Sequence, residues 1–435
     1  MTETPQLNES EAGRLEAPAP SWQRYLGGLE RFVLLFYALS LPLSISLSQI
    51  LLIIGLLLSA LDFALAKLRG RQAEQSRRAP VLLLPLSLFA AAVTISGALG
   101  GNSSPSLSDA WEAFCSLKTL LPYFWAASVF SRNPKLPAAA LILLLWVSAV
   151  AGVWGSIQQV FNIHPGYKYL QGTGFLSHPM AFAGQMQIFS FISLGLLLSK
   201  GYCELLSFSD SRFLNPLLKL SQNKTVFLLL SLANFSGLFF AGERSAWLGA
   251  VFGILSLTVL ISWRLAAGAL AAMTLGSAFA WFFVPLLRSR VESIFSGHDV
   301  SVSARQKIWS VCLNEYFPKS PLYGIGWMKF PHFDIPEAIV PGVSKDLIHA
   351  HSNYIHILSS AGLLGLSAYI YLLIAIWLAA YLNYKNALLQ NQKLQAGVAL
   401  GLFAAAVSLA VSGFFEFNFG TAQVRLAQWF VFALL

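Results

Sequence analysis

Long apolar runs without a single charge are the feature that most limits how this 435-residue chain can fold. Residues 81–98 and 136–157 are two such runs. A helix rising about 1.5 Å per residue needs about 20 residues to cross the hydrocarbon of a bilayer. Because a helix also satisfies its own backbone polar groups, these runs predict transmembrane helices.

The composition agrees with this assignment. Hydrophobic residues make up 56% of the chain, charged residues only 11%, and the mean hydropathy is +0.64. An average soluble domain has about 25% charged residues. The sequence therefore predicts an integral membrane protein with an all-α polytopic fold.

About twelve transmembrane helices can be counted. The amino-terminal residues 1–30 are polar and have no cleavage site after a short apolar core. The first span is therefore predicted to be an uncleaved anchor and not a signal peptide. We expect a cytoplasmic tail at 1–30, helices at 31–287, a large outer loop at 288–352 and further helices at 353–435. The predicted spans lie near 31–47, 49–66, 81–98, 111–130, 136–159, 180–199, 225–241, 246–262, 265–287, 353–382, 396–413 and 421–435.

The distribution of Lys and Arg predicts the orientation. With a cytoplasmic amino terminus, the inner connections hold most basic residues and the short outer connections hold almost none. Since cytoplasmic loops carry the excess of Lys and Arg, we expect both termini inside and residues 289–351 on the outer side. The formal net charge of +9 is thus mainly an orientation signal and does not imply nucleic-acid binding.

Some basic residues on the outer side are not needed for orientation. A cluster of cations of this kind predicts a multiply anionic substrate. Within the outer loop, residues 303–316 predict a helix that carries Arg305 and Trp309 on one face. The outer basic residues are Lys118, Lys168, Arg244, Arg425, Arg288, Arg290, Arg305, Lys307, Lys319, Lys329 and Lys345.

The outer loop ends at His351, just before the predicted tenth span. Ser352 and Asn353 are good helix N-cap residues, so His351 is expected at the mouth of that helix. A histidine there could act as a general base, with His349 in a secondary role. Two alternatives remain: a solvated loop histidine, or a metal site in which Asp346, His349 and His351 supply three ligands.

Two glycines follow on the same helix. Gly362 lies eleven residues after His351 and Gly365 one turn further, so both are expected on nearly the same helix face as the histidine. This spacing predicts a smooth groove below His351. The alternative is that the glycines only allow a neighbouring helix to approach closely.

Arg244 lies in a very short turn between two predicted spans, where a charge near the hydrocarbon is costly and indicates function. Its guanidinium could grip phosphate oxygens through two hydrogen bonds. A simple ion pair with the neighbouring Glu243 is the alternative. Arg305, in the loop helix, is the second candidate for an anion contact.

Taken together, these residues resemble a known family. The segment His351-Ser352, nine residues, Gly362-Leu363-Leu364-Gly365 resembles the H-[S/N]-x9-G-x-x-G signature of bacterial O-antigen ligases and their polymerase relatives. The Arg244 turn, the Arg305 segment and the stretch 321–326 occur in the same order as in that superfamily. One departure lies at Pro179-Met180, where relatives often have Asn after the proline, so no role is assigned to His178 or Met180.

The resemblance implies a glycosyltransferase of the bacterial inner membrane that works on the periplasmic face, so that the outer loop at 288–352 is expected to be a periplasmic catalytic loop. The implied donor is an undecaprenyl-pyrophosphate-linked glycan and the implied acceptor is lipid A-core oligosaccharide. The family's base matches His351, its pyrophosphate contacts match Arg244 and Arg305, and it requires neither a metal nor another cofactor. Membrane lipids are the other expected partners.

The residue chemistry is compatible with this implication. Arginines can stabilise a departing pyrophosphate, and a single base can deprotonate an acceptor hydroxyl that attacks the anomeric carbon with inversion. The sequence leaves open an O-antigen or exopolysaccharide polymerase and a protein O-oligosaccharyltransferase of the same superfamily. A polysaccharide transporter is disfavoured because the chain lacks evident repeats and its charges gather at the outer boundary.

Overall fold

A computed structural model describes residues 21–68, 80–101, 104–163, 171–208, 214–283, 300–330 and 349–435, together with Arg288 and Glu292. Regular structure in these ranges is entirely helical and includes no strand. The all-α prediction is confirmed. Asp346 and most of the segment before His349 lie outside the described residues.

Fifteen α-helices of at least seven residues are present in the described part of the chain. A 3-10 turn at Leu117–Leu120 joins α4 to α5, and a π-helical turn at Cys312–Tyr316 follows α12. The helices are α1 (Ser21–Ser40), α2 (Ile45–Leu68), α3 (Leu83–Leu99), α4 (Leu107–Ser116), α5 (Leu121–Arg132), α6 (Leu136–Phe161), α7 (Pro179–Ser199), α8 (Asn215–Ser221), α9 (Lys224–Phe240), α10 (Arg244–Ile261), α11 (Trp263–Phe283), α12 (Val300–Val311), α13 (Asn353–Leu389), α14 (Lys393–Ser412) and α15 (Ala422–Phe432).

Among the described residues, eight helices are long and apolar enough to cross a membrane, or nine if the bent pair α8 and α9 is one span. The chain is therefore a multi-pass membrane protein. The predicted count of about twelve is not confirmed. The first helix begins at Ser21 instead of residue 31 and carries three charges, while α3 and α15 are only 17 and 11 residues long.

Helices α7 and α14 cross in the middle of the bundle with almost no space between their backbones. A Cβ atom on Gly195 would lie 2.4 Å from the carbonyl oxygen of Gly397, and one on Gly401 would lie 2.6 Å from Cα of Ile192. Small residues permit this close approach, which is typical of helix contacts within membranes. Gln187 adds a polar link, because its Nε2 donates to Oγ of Ser408 at 2.9 Å.

The packing brings several helix ends together at one side of the bundle, here called the His351 end. The backbone N–H of Asn353, which begins α13, donates to the carbonyl oxygen of Gly413 after α14 at 2.7 Å. The side chain of Asn353 accepts from the N–H of Phe419 at 3.0 Å and donates to Asn418 at 2.7 Å. The connection between α14 and α15 is thereby fastened beside the start of α13.

Candidate active site

The loop helix α12 is attached directly to the histidine segment. Nε1 of Trp309 donates to the carbonyl oxygen of Ala350 at 2.8 Å, so the attachment lies between the two histidines. Ala350 is fully buried in a small apolar cluster with Ile308 and Val311 of the same helix. This packing holds α12, and with it Arg305, over the mouth of α13.

The prediction of a smooth glycine groove below His351 is wrong. Gly362 has φ 65° and ψ −164°, which breaks α13 after its first nine residues, 353–361. The freed amides are satisfied from outside the helix. The N–H of Leu363 donates to the carbonyl oxygen of Pro321 at 2.9 Å, and that of Leu364 donates to Leu322 at 3.1 Å.

The outer loop also donates hydrogen bonds to residues beside the same break. The N–H of Ile325 donates to the carbonyl oxygen of Ser359 at 2.9 Å, and that of Gly326 donates to Ser360 at 3.0 Å. Close approach requires glycine, because a Cβ on Gly324, whose φ is +70°, would lie 2.4 Å from the carbonyl carbon of Ser360. The segment 321–326 and the helix break therefore form one hydrogen-bonded unit.

His351 is held at the very start of α13. Ser352 is the N-cap, as predicted, and its side chain accepts from the N–H of Ile355. His351 has φ 50°, a left-handed conformation that is uncommon for a residue other than glycine. Conformations of this kind persist where surrounding contacts impose them, and they occur preferentially at functional sites.

Glu416 is the residue of this site that the sequence analysis missed. Its Oε2 lies 3.7 Å from Nδ1 of His351 and 3.8 Å from Nη2 of Arg305. Only 8% of the Glu416 side chain is exposed, so its charge depends on these partners. The available signal was its position as the lone acidic residue in the predominantly apolar stretch 394–435.

The electrostatic balance keeps Glu416 ionised. Burial raises the pKa of this carboxyl, but the effect of the nearby His351, with those of His349 and Arg305, outweighs it and holds the pKa below its ordinary value of 4.5. The carboxylate is thus a permanent anion at neutral pH. It can orient an imidazole and stabilise the positive charge that an imidazole gains with a proton.

His349 is a neighbour of this arrangement and not merely a loop residue. Its ring centroid lies 4.2 Å from that of His351, and its Nδ1 accepts from the backbone N–H of His351 at 3.2 Å. Burial, with a smaller effect from His351, lowers the pKa of His349 to about 4. His349 is therefore neutral at pH 7.

His178, to which the sequence analysis gave no role, also belongs to this end. It caps α7, where its Nδ1 accepts from the N–H of Met180 at 3.2 Å. Burial lowers its pKa, and the charges of Glu416 and His351 act on it in opposite directions. His178 is thus electrostatically linked to the site, although its position at the start of an apolar helix gave no signal of this.

Arg244 begins α10, two residues after Gly242, whose φ of 69° makes the turn. The next residues, Ser245 and Ala246, line the same narrow cavity as Glu416. The structure therefore gathers Arg305, His349 and His351 around Glu416 and places the Arg244 turn along the wall beside them.

One ligand set in the described residues could hold a metal ion. His349, His351 and Glu416 each offer a ligand atom, and these atoms lie within 4.8 Å of one another. The carboxylate of the set is Glu416, whereas the sequence analysis considered Asp346, which lies outside the described residues.

Comparison with known proteins identifies one part of the chain. Residues 226–370 match the family model described as O-antigen ligase. The match covers Arg244, Arg305, His351 and Gly362 but ends before Glu416. No curated protein matches the chain.

Proposed function

We propose that this member of the O-antigen ligase superfamily, whose family domain covers residues 226–370, transfers O-antigen glycan from undecaprenyl pyrophosphate to lipid A-core oligosaccharide. The reaction takes place at the periplasmic face of the inner membrane, inverts the anomeric carbon and needs no metal. The observation that carries the proposal is the buried contact of Glu416 with both His351 and Arg305 at the mouth of α13.

In this proposal His351 is the general base. Its Nδ1 faces the Glu416 carboxylate, so Nδ1 carries the ring proton and the Nε2 lone pair is left to accept another. The 3.7 Å separation exceeds hydrogen-bond length, but contacts of this kind often shorten once substrate is bound. Glu416 then stabilises the imidazolium that forms.

The bond changes follow from this arrangement. Nε2 of His351 takes the proton of an acceptor sugar hydroxyl while its oxygen forms a bond to the anomeric carbon. On the opposite face, the bond from that carbon to the pyrophosphate oxygen breaks and its electron pair leaves with the pyrophosphate. One base and one leaving group are sufficient, unlike the paired carboxylates of glycosidases.

Arg305 and Arg244 stabilise the departing pyrophosphate. Nη2 of Arg305 is 3.8 Å from Glu416, which places the guanidinium beside His351, and its planar set of donors suits the oxygens of a phosphate. Developing negative charge on the leaving group is stabilised most effectively by preorganised cations in a site sheltered from water. Arg244 begins α10, whose next residues line the same cavity as Glu416, and we assign it a second contact with the pyrophosphate.

A polymerase of the same superfamily would use the same chemistry with a different acceptor. Lipopolysaccharide from a deletion strain, separated on a gel, distinguishes the two. Complete loss of capped core with accumulation of lipid-linked polymer is expected for a ligase. Core capped with single repeats would identify a polymerase instead.

The mechanism is tested by transfer from purified undecaprenyl-pyrophosphate glycan to lipid A-core in detergent containing EDTA. We expect full activity with chelator and none in His351→Ala. Activity that EDTA removes, or that survives in His351→Ala, would overturn the proposed chemistry.

A further inference from the structure

The cluster of His349, His351 and Glu416 has the composition of a transition-metal site. Two imidazoles and one carboxylate are a ligand set that zinc accepts, with a fourth position left for water or another ligand. Their ligand atoms already lie within 4.8 Å of one another. Since zinc bonds are about 2.0–2.2 Å long, moderate side-chain rotation is enough to bring three atoms onto one ion.

The contacts that coordination would replace are weak. Binding would replace two existing contacts, the 3.2 Å bond from the His351 N–H to His349 and the 3.7 Å contact between His351 and Glu416. The first is at the long end of the hydrogen-bond range and the second exceeds it, so they give little competition.

Arg305 acts against a metal ion. Its Nη2 lies 3.8 Å from the same Oε2 that the ion would use, so the guanidinium charge repels the cation. The affinity for zinc is therefore limited by Arg305. Such a site suits reversible occupation by zinc better than permanent retention of a cofactor.

Occupation would change the chemistry of His351. A neutral imidazole carries one N–H, and coordination through Nδ1 requires that this proton be on Nε2. Nε2 is the atom that must accept the acceptor's proton in the proposed reaction. A zinc ion and general-base catalysis by His351 are therefore mutually exclusive.

From this geometry we infer that His349, His351 and Glu416 form a zinc-binding site whose occupation reversibly stops transfer. The binding stands on the cluster itself, and the inhibition rests on the proposed function. The two can fail separately, because zinc binding is measured without any substrate.

The binding experiment uses the full-length protein in detergent, purified without a histidine tag and stripped with EDTA. Isothermal titration with Zn²⁺ at pH 7 is expected to show one ion per chain. His349→Gln and Glu416→Gln should each weaken binding by more than about tenfold, since even residues that only orient a metal ligand contribute about 10- to 100-fold.

Two further variants sharpen the result. Glu112→Gln removes an exposed carboxylate on α4 and is the matched control, with unchanged affinity expected. Arg305→Gln should tighten binding by about tenfold or more, because it removes the opposing charge. An undetectable zinc signal in the wild type, or equal affinity in His349→Gln, Glu416→Gln and wild type, would overturn the site.

The functional arm adds Zn²⁺ to the transfer assay. Loss of activity that EDTA restores is the expected result for the wild type. Undiminished transfer when zinc is bound would overturn the inhibition while leaving the site. Stimulation of EDTA-stripped enzyme by zinc would overturn both the inhibition and the metal-independent mechanism.

Discussion

The Nδ1 atom of His351 lies 3.7 Å from Oε2 of Glu416, although the two residues are 65 positions apart in the sequence. The carboxylate is brought to the histidine by the connection between α14 and α15, which Asn353 fastens through Phe419 and Asn418. The base and its orienting anion are therefore supplied by different parts of the fold.

Glu416→Gln should lower kcat by about 100-fold or more with little change in KM for the acceptor, because the amide cannot stabilise an imidazolium. We regard Glu416 as a positioning residue, so Glu416→Asp should recover part of kcat. The measurement is steady-state transfer in detergent, with Glu112→Gln as the control. An equal fall in folded protein and activity would indicate a structural role only.

His351→Ala should abolish detectable transfer, while His349→Ala should leave a measurable fraction. Loss of a general base typically costs about 100-fold to 10,000-fold in rate, whereas His349 only packs against the base and accepts its backbone N–H. Both variants should elute as folded protein on size exclusion. Equal activity of His351→Ala and His349→Ala would contradict the assignment of the base.

Arg305→Ala and Arg244→Ala should each strongly weaken use of the pyrophosphate donor. Arg→Lys at either position should restore activity only in part, because lysine keeps the charge but not the planar pair of donors. Donor KM and kcat measured for the four variants provide the check. Full activity of both alanine variants at normal protein levels would remove the pyrophosphate role.

Gly362→Ala should destabilise the protein by roughly 1–3 kcal/mol, the usual cost of a strained backbone conformation. Its φ is +65°, and a Cβ would lie 2.4 Å from the backbone of Leu322. Gly268→Ala is the matched control, since a Cβ there meets nothing within 4 Å. Thermal unfolding in detergent should show a lower Tm for Gly362→Ala alone, and equal Tm values would contradict the docked helix break.

Stability should fall on acidification from about pH 6.5 to 4. His349 has an ordinary pKa of 6.5 and a folded-state pKa of about 4, so within this range the unfolded chain binds more protons. The contribution of His349 to the free energy of unfolding is fully present above pH 6.5. It is lost as the pH falls towards 4, at up to about 1.4 kcal/mol per pH unit. His349→Gln should flatten the dependence of Tm on pH in this range, and an unchanged slope would contradict the shift.

Below that range a second group takes effect. Glu416 has a lowered pKa in the folded protein. Its contribution to the free energy of unfolding is therefore present above pH 4.5, the ordinary pKa, and is lost as the pH falls through the folded-state pKa. Glu416→Gln should therefore change the slope mainly below pH 4.5, which separates its effect from that of His349.

Local sequence patterns predicted the helical class, the cap at Ser352 and most of the long apolar helices, because these depend on nearby residues. The helix of the outer loop was also expected, and it begins at Val300. Glu416 and His178 were not predicted as site residues, since their meeting with His351 depends on helix packing. The break at Gly362 was missed because a glycine within an apolar run is compatible with a continuous helix.

The break at Gly362 divides α13 into two parts with different surroundings. The nine residues 353–361 are fastened to the outer loop and to Gly413, whereas the rest, up to Leu389, spans the bundle. Membrane helices tilt to match the thickness of the bilayer around them. Because Leu363 and Leu364 of the long part bond to the same segment 321–326 as Ser359 and Ser360 of the short part, we expect a change of tilt in a membrane of different thickness to be transmitted to the outer loop that carries Arg305.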